Sequence, residues 1–193
     1  MKPLPRDFYR RDARVVAADL LNKVFVRGAR RARIVEVEAY LGALDPASHA
    51  YRGPTARNAT MFGPAGHLYV YFTYGMHWCA NAVCGEEGEG TAVLLRALAP
   101  LAGIPQMRMA RGGIERMTAL CSGPAKLCQA FGIDRAFDGV DLTRESRAKP
   151  WIGDDGTPPP PKPGRSSRVG ISVAVGHEWR WFVPDDPNVS RAR

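Results

Sequence analysis

The sequence lacks the features that mark membrane, secreted and metal-binding proteins. No apolar run approaches the roughly 18 residues that span a bilayer, and the start MKPLPRDFYRR has no apolar stretch of signal-peptide length. The four cysteines contain no C-x-x-C pair, and neither they nor the four histidines have the spacing of zinc ligands. We therefore expect a cytoplasmic protein with buried reduced thiols, no metal site, no cofactor and no membrane contact.

Common catalytic and nucleic-acid-binding signatures are missing too. The chain has no H-E-x-x-H or G-x-S-x-G, and the absence of helix-turn-helix, zinc-finger and RNP patterns argues against a sequence-specific regulator. A glycine-rich turn at 85–90 contains Glu86, Glu87 and Glu89, whose carboxylates would repel a phosphate. The turn is therefore a poor nucleotide cradle.

Positive charge is abundant, and nearly all of it comes from arginine. The 27 basic residues, 22 Arg and 5 Lys, exceed the 19 acidic residues and give a net charge of +8. This excess favours a polyanionic partner, and arginine suits bidentate phosphate contacts. A GC-rich genome would produce the same arginine bias, so charge indicates a class of partner and no reaction.

The composition and patterning predict one α/β (α+β) domain over residues 1–193. Of the 193 residues 45% are hydrophobic and 24% charged, which is ordinary for a globular protein. Helical spacing appears in DARVVAADLLN and in SGPAKLCQAFG, which has Pro124 near its start and Gly132 at its end. Strand patterns appear in KVFVRG, ARIVEVEAY, LYVYFTY, HWCANAV, TAVLLRALAP, RVGISVAV and EWRWFV. We expect a curved, mainly antiparallel sheet with flanking helices.

Two segments read as loops. Turn residues recur from Leu41 to Gly66 with little periodicity, which predicts a long structured loop of the kind that often carries function. The stretch 149–164 contains six prolines and predicts a flexible or polyproline-like surface loop.

Several polar groups interrupt apolar strands. In ARIVEVEAY the period of two places Ile34, Glu36, Glu38 and Tyr40 on one face, opposite Val35, Val37 and Ala39. Glu38, beside the long loop, is a candidate general base, and a solvated strand face is the alternative for it and for Glu36. Arg96 in VLLRALA implies a buried carboxylate partner or a polar groove. Asn81 is a third such group, with a satisfied structural amide as its alternative.

Aromatic side chains are densest between residues 69 and 78. Core packing is the ordinary role of strand aromatics. Tyrosines beside a basic surface could also stack on an extruded base or wedge into a base step. The cluster consists of Tyr69, Tyr71, Tyr74, His77 and Trp78.

Four segments, taken in order, resemble the alkyladenine (3-methyladenine) DNA glycosylase family of the mammalian AAG type. They are RIVEVEAYLG, SHAYRGPTARNATMFGPAGHLYVYFTYGMHWCANAV, AVLLRALAPL and CSGPAKLCQAFGI. The resemblance runs from about Pro5 to the last predicted strand. Several long matches in sequence are far more specific than one short motif.

The resemblance implies a mechanism and assigns residues to it. Glu38 would activate a water that hydrolyses the N-glycosidic bond, and Arg96 and the main-chain carbonyl of Val169 would help to hold that water. Tyr74 would enter the duplex in place of the flipped nucleotide, supported by Met76. The product would be an abasic site in an intact strand.

The same resemblance implies a base pocket and its substrates. Tyr40 and Tyr71 would stack on the base, His49 would supply polar recognition, and Asn81 would crowd the exocyclic amino group of guanine. The expected partner is double-stranded DNA with alkylated or deaminated purines: 3-methyladenine and 7-methylguanine, with hypoxanthine and ethenoadenine as further candidates. We expect a monomer, associated with the nucleoid if the source is bacterial.

Two hypotheses from other classes remain open. A non-catalytic nucleic-acid-binding module would explain the charge and the tyrosines, but gives no reason for Glu38 and Arg96 in strands. A hydrolase of small nucleotides is the other, since related sheets host unrelated chemistry.

Overall fold

Two long antiparallel strands form the centre of the fold. In the computed structural model, which describes residues 1–190, β3 (Arg30–Leu41) pairs with β6 (Thr91–Ala102) along most of its length. The other edge of β3 is shared by two strands, because one pairs with Arg30–Arg33 and another with Glu36–Glu38. β3 is therefore enclosed on both edges where its two glutamates lie.

Within residues 1–190 eight further strands extend this pair, and every strand pairing is antiparallel. They are β1 (Lys2–Pro3), β2 (Val24–Arg27), β4 (His67–Thr73), β5 (His77–Cys84), β7 (Val140–Asp141), β8 (Trp151–Asp154), β9 (Gly164–Ser166) and β10 (Arg180–Phe182). The order is β1-β8-β2-β3-β6-β5-β4-β7, with β10 pairing with β3 and β9. The sheet curls into a half-barrel.

Four α-helices within residues 1–190 pack on the sheet: α1 (Arg6–Tyr9), α2 (Ala13–Leu20), α3 (Ile104–Ala110) and α4 (Pro124–Phe131). The Asp12 side chain caps α2 by accepting a hydrogen bond from the Arg14 amide at 2.8 Å. α4 ends at Gly132, whose φ of +63° lies in the left-handed region that glycine adopts without a Cβ clash. Leu20 and Phe131 are fully buried in the main core. The predicted fold class is confirmed.

The predicted strands at the centre of the sheet are also confirmed. KVFVRG and ARIVEVEAY form the β2–β3 hairpin, and the next three predicted strands form β4, β5 and β6 in consecutive antiparallel pairing. Between them the 41–66 segment forms the expected long loop, with short 3-10 turns at Gly42–Leu44 and Ala59–Phe62.

A bulge in β3 corrects the assignment of side chains to its faces. Ile34 and Glu36 oppose adjacent residues of β6, so Val35 is an extra residue between them. Ile34 consequently lies in the main core with Val37, and the expectation that it shares the face of Glu36 and Glu38 is wrong. A strict period of two cannot anticipate a bulge.

Three predictions for the last third of the chain need correction. RVGISVAV is not a strand: Gly170 has a φ of +78°, and residues 168–175 pair with no strand. Of EWRWFV only Arg180–Phe182 is a strand. The segment 149–164 is not all loop, because β8 (Trp151–Asp154) lies within it between β1 and β2. The neighbouring prolines masked a strand of only four residues.

The cysteines and the helices bear on two further expectations. Cys79, Cys84, Cys121 and Cys128 are all free and buried, as predicted. Within residues 1–190 no helix has the length and hydropathy that crossing a membrane requires.

The position of β8 predicts a stability effect inside the proline-rich stretch. Ile152 is completely buried, so Ile152→Ala should lower the free energy of unfolding by about 2–5 kcal/mol through lost burial and a cavity. Urea denaturation measures the change. Lys162→Ala, an exposed position in the same stretch, is the control and should stay within about 0.5 kcal/mol of the parent protein. If Ile152→Ala lowered the free energy of unfolding as little as Lys162→Ala, β8 would not be anchored in the core.

Candidate active site

The register of the sheet brings the predicted residues into one row. Tyr69 opposes Asn81, Asn81 opposes Leu94, and Leu94 opposes Glu38. Residues directly opposite each other in antiparallel strands point to the same face. One face of β4, β5, β6 and β3 therefore presents a continuous line of side chains, from a tyrosine to a carboxylate.

A cavity of about 320 Å³ opens above this row, a size within the range of small-ligand sites. Seven of the nine predicted site residues line it: Tyr40, His49, Tyr71, Tyr74, Asn81, Arg96 and Val169. Glu38 lies behind the wall, in contact with three of the lining residues, and Met76 is not part of the wall. Sequence positions from 40 to 169 thus converge on one cavity.

Glu38 is fully buried and held by three donors. Its Oε1 accepts a hydrogen bond from the Val169 amide at 2.7 Å and lies 3.1 Å from Nη1 of Arg96. Its Oε2 accepts a hydrogen bond from the Tyr40 hydroxyl at 2.8 Å. Burial raises the pKa of Glu38 above its ordinary value, although Arg96, Val169 and Tyr40 each oppose that rise. The alternative of a solvated strand face is wrong for this residue.

The carboxylate retains room for one more donor. Two carboxylate oxygens offer about four lone-pair sites, and Val169, Arg96 and Tyr40 use three of them. The remaining acceptor site lies on Oε2, which accepts one hydrogen bond, from Tyr40, within residues 1–190. The group of Val169 that contacts Glu38 is its N–H, whereas the resemblance had assigned the carbonyl of that residue to the water.

Glu36, one pleat away, is tied into a different network. Its Oε1 accepts from Nε of Arg96 at 2.8 Å, from Nε of Arg180 at 2.7 Å and from the Ser190 hydroxyl at 2.7 Å. Its Oε2 accepts from the Ser190 amide at 2.6 Å. Burial alone would raise the pKa of Glu36, but Arg96, Arg180 and Ser190 together hold it below its ordinary value. Glu36 is a fixed anion, and no part of it lines the cavity.

Arg96 reaches both carboxylates because of a second irregularity in the sheet. Between Glu36 and Val37 the register of β6 advances from Ala97 to Leu95, which leaves Arg96 unpaired. Bulges are frequent beside active sites, where they redirect a side chain. The guanidinium therefore lies between the two glutamates and bonds to each.

The aromatic part of the cavity wall is uncharged, and Arg96 is the cation that lines the cavity in residues 1–190. His49 lies edge-on to Tyr71 with ring centres 4.4 Å apart, and its Nδ1 is 3.2 Å from the Tyr69 hydroxyl. Burial, followed by the charge of Arg57, lowers the pKa of His49, so the imidazole is neutral at pH 7. Burial raises the pKa of Tyr69 to about 12 and also raises that of Tyr71.

Tyr74 and Met76 occupy the turn between β4 and β5. Tyr74 is 80% exposed and Met76 66% exposed, both high for large apolar side chains. Tyr74 has a φ of +52°, a left-handed conformation that costs a residue with a Cβ roughly 1 kcal/mol or more. The next residue, Gly75, takes a φ of +66° at no such cost. The turn thus projects an aromatic ring at the mouth of the cavity.

Sequence reasoning missed several residues of this site. Tyr69, named in the aromatic cluster but not assigned to the base pocket, lines the cavity, and its alternation with Tyr71 on LYVYFTY was the available signal. The buried pair of Asp45 and Arg168 has no local pattern that marks it. The same holds for Arg180 and Ser190, which reach Glu36 from far along the chain.

Comparison with known proteins identifies a family. The family described as methylpurine-DNA glycosylase matches residues 7–187. A protein of Burkholderia cenocepacia (strain HI2424), named "Putative 3-methyladenine DNA glycosylase", is 57% identical over 192 residues, which cover 98% of this chain and 91% of the relative. Proteins of the same name from Streptomyces avermitilis and Agrobacterium fabrum are 48% and 46% identical, covering 99% and 97% of this chain and 92% of each relative.

The network around Glu36 predicts a stability effect that depends on pH. Glu36→Gln leaves Arg180 without its buried anion and Arg96 with Glu38 alone, so it should lower the free energy of unfolding at pH 7 by roughly 3–5 kcal/mol. Because the folded protein depresses the pKa of Glu36, its contribution is present above the unfolded-state pKa and is lost as pH falls through the folded pKa. The difference between variant and parent should therefore shrink below about pH 4.

Urea titrations at neutral and acidic pH measure this difference. Glu115→Gln is the control, because Glu115 is 84% exposed and its contact with Arg108 is 3.5 Å long. Its effect should stay below about 1 kcal/mol. A Glu36→Gln effect as small as the control, or one that persists at low pH, would contradict the buried-anion role.

Proposed function

The chain belongs to the methylpurine-DNA glycosylase family, and we propose that it excises alkylated purines from duplex DNA with a water activated by Glu38. Membership makes it a DNA glycosylase of base excision repair, a hydrolase that cleaves N-glycosidic bonds in damaged DNA. The lesions it accepts and the roles of its residues are the subject of the proposal.

One observation carries the mechanism: a buried carboxylate of raised pKa lies directly behind an aromatic cavity and has one acceptor site left. A general base works best when its pKa approaches the working pH, and burial moves Glu38 in that direction. The charge of Arg96 favours the ionised form of the carboxylate against the effect of burial, and its contact fixes the orientation of the carboxylate. These are the properties that activation of a water requires.

The proposed reaction balances with these groups alone. The water oxygen attacks the anomeric carbon of the sugar as the bond to the purine nitrogen breaks, and the proton of the water passes to Glu38. The electron pair of the broken bond leaves with the purine and neutralises the positive charge that alkylation at N3 or N7 creates. No general acid is needed for such a base. No lysine lines the cavity in residues 1–190 to form a Schiff base, so the strand stays intact.

Selection of the damaged base is proposed to come from the cavity walls. Tyr40 and Tyr71 line the cavity, and their rings would attract a cationic purine, worth about 0.5 to 2 kcal/mol per cation–π contact. Neutral His49 can recognise a base edge without repelling its charge. Asn81, 4% exposed and anchored to the Tyr69 carbonyl at 3.2 Å, would crowd the 2-amino group of guanine. Neutral lesions such as hypoxanthine and ethenoadenine should react more slowly, since the leaving base must gain a proton.

Extrusion of the base is proposed to depend on the turn between β4 and β5. Tyr74 would fill the gap in the duplex and Met76 would support it, since both are exposed at the mouth of the cavity or beside it. Stacking on an aromatic ring is worth about 1–3 kcal/mol per base, enough to offset much of the cost of flipping. The partner is therefore duplex DNA, and a hydrolase of free nucleotides would have no use for this turn.

Glu38→Gln should abolish excision while preserving DNA binding. The glutamine keeps the size of the side chain but cannot accept the proton of the water, so the single-turnover rate should fall by about two orders of magnitude or more. Release of 3-methyladenine and 7-methylguanine from alkylated duplex measures the rate, and fluorescence anisotropy with a lesion duplex measures binding. The exposed Glu115→Gln is the control and should keep the parent rate.

If Glu38→Gln excised bases at a near-normal rate, another residue would have to be the general base. Binding of lesion DNA without any release of bases by the parent protein would instead favour the non-catalytic nucleic-acid-binding module. Hydrolysis of free nucleotides with no action on duplex would favour the remaining alternative.

Tyr74→Ala should impair excision from paired duplex more than from a mismatched or single-stranded site. Without the ring, the flipped state of a paired lesion loses its replacement stacking, whereas an unpaired base has less stacking to replace. Single-turnover rates on the three substrates measure the ratio. Met109→Ala is the matched control, since Met109 is also 80% exposed but lies on α3.

Tyr74→Ala also distinguishes a residue that enters the duplex from a residue that packs in the protein core. An exposed side chain should affect the free energy of unfolding by no more than about 0.5 kcal/mol. Equal rate losses on all substrates, together with a lower thermal midpoint, would make Tyr74 a packing residue.

A further inference from the structure

Arg168 and Asp45 form a buried ion pair just outside the cavity. Neither side chain has exposed surface. Nη2 of Arg168 donates to Oδ1 of Asp45 at 2.8 Å, and Nη1 donates to Oδ2 and, at 3.0 Å, to the carbonyl oxygen of Ala39. The guanidinium also lies 4.6 Å from the ring centre of Tyr40 and 5.1 Å from that of Trp179.

This pair joins three separate parts of the chain. Asp45 belongs to the long loop after β3, Tyr40 to the end of β3, and Arg168 to the irregular segment between β9 and β10. The next residue along that segment is Val169, whose amide donates to Glu38. Residues 167–179 take part in no strand pairing, so no sheet ladder fixes the position of this amide.

Stability alone does not account for the pair. Burying two charges costs several kcal/mol per ion, and apolar residues of similar volume often stabilise a protein as well or better. Arg168 carries a further cost, because its Nε is buried without a hydrogen-bond partner in the described part of the chain. The contacts instead fix the orientation of the Arg168 guanidinium. Asp45 holds one edge of this planar group, and the rings of Tyr40 and Trp179 pack against it.

We propose that the Asp45–Arg168 pair positions the catalytic base: it holds the Val169 amide on Glu38 and the Tyr40 ring and hydroxyl at the cavity wall. Arg168 and Asp45 are positioning residues in this assignment, since neither lines the cavity. The inference rests on the proposed role of Glu38 as the base. It adds to that role a clamp that fixes two of the three donors around the carboxylate.

The clamp should have a signature in the pH dependence of excision. Both the Val169 amide and the Tyr40 hydroxyl lower the pKa of Glu38 against the effect of burial. If they move away, burial prevails and Glu38 takes up its proton at a higher pH. The titratable and charged groups that face Glu38 from every packed strand are Glu36 and Tyr40 on β3, Tyr71 on β4, Cys79 on β5, Arg96 on β6 and Arg180 on β10.

Arg168→Lys and Asp45→Asn test the proposal on duplex containing 7-methylguanine, a cationic base that needs no general acid. The single-turnover rate is measured across about pH 5 to 9. For both variants we expect a ten- to hundredfold lower rate at neutral pH and a shift of the acidic limb of the pH–rate profile to higher pH. Val169→Pro removes the amide donor directly and should move the limb in the same direction. Arg168→Lys combined with Val169→Pro should shift it no further than Arg168→Lys alone, since the clamp variant already releases the Val169 amide together with the Tyr40 hydroxyl.

Arg33→Gln is the matched control. Arg33 lies on the same strand as Glu38 and pairs with Asp155 at 2.8 Å, away from the cavity, so its loss should leave the acidic limb in place.

Glu38→Gln, measured in parallel, distinguishes a failure of the proposed base from a failure of the clamp. If Glu38→Gln still excises, the proposed base fails. If it is inactive while the clamp variants keep the parent limb, only the clamp fails, and lower thermal midpoints would then mark a purely structural pair. Clamp variants that do not fold, beside a folded Val169→Pro with an unshifted limb, would overturn the proposal as well.

Discussion

The arrangement of the whole site depends on one guanidinium shared by two buried carboxylates. Arg96 bonds to Glu36 through Nε and to Glu38 through Nη1, and it can do so because the register shift in β6 leaves it unpaired. Two anions one pleat apart in a dry interior would otherwise repel each other and take up protons. The shared cation allows one of them to be a fixed structural anion and the other to keep a raised pKa beside the cavity.

The different roles of Glu36 and Glu38 correspond to the different hydrogen-bond partners that surround these two similar residues. Glu36 accepts four hydrogen bonds from Arg96, Arg180 and Ser190, which hold it as a fixed anion. Glu38 has fewer donors and one free acceptor site. In the proposed mechanism this free site accepts the proton of the attacking water. Proteins commonly accept a local energetic cost at functional sites and recover it in the surrounding structure.

Local patterns predicted the central strands, both capped helices and the polar face of β3, because each depends on periodicity or on a cap within a few residues. They failed where structure depends on distant partners. β8 is a strand because β1 and β2 flank it, although prolines surround it in sequence. RVGISVAV alternates like a strand but has no partner to pair with. Resemblance supplied the cavity residues, whereas the ties of Asp45 to Arg168 and of Ser190 to Glu36 link loops that no short window contains.

The tie between Glu36 and Ser190 has a consequence for how the protein matures during translation. The two residues are 154 positions apart, and at about 5–20 residues per second a ribosome needs roughly 8 to 30 seconds to travel between them. Once β6 (Thr91–Ala102) has been added, β3 and β6 can pair, but the carboxylate of Glu36 still lacks the amide and hydroxyl of Ser190 that complete its shell. The sheet can therefore form early on the ribosome, whereas the electrostatic setting of the site is finished only after Ser190 has been added.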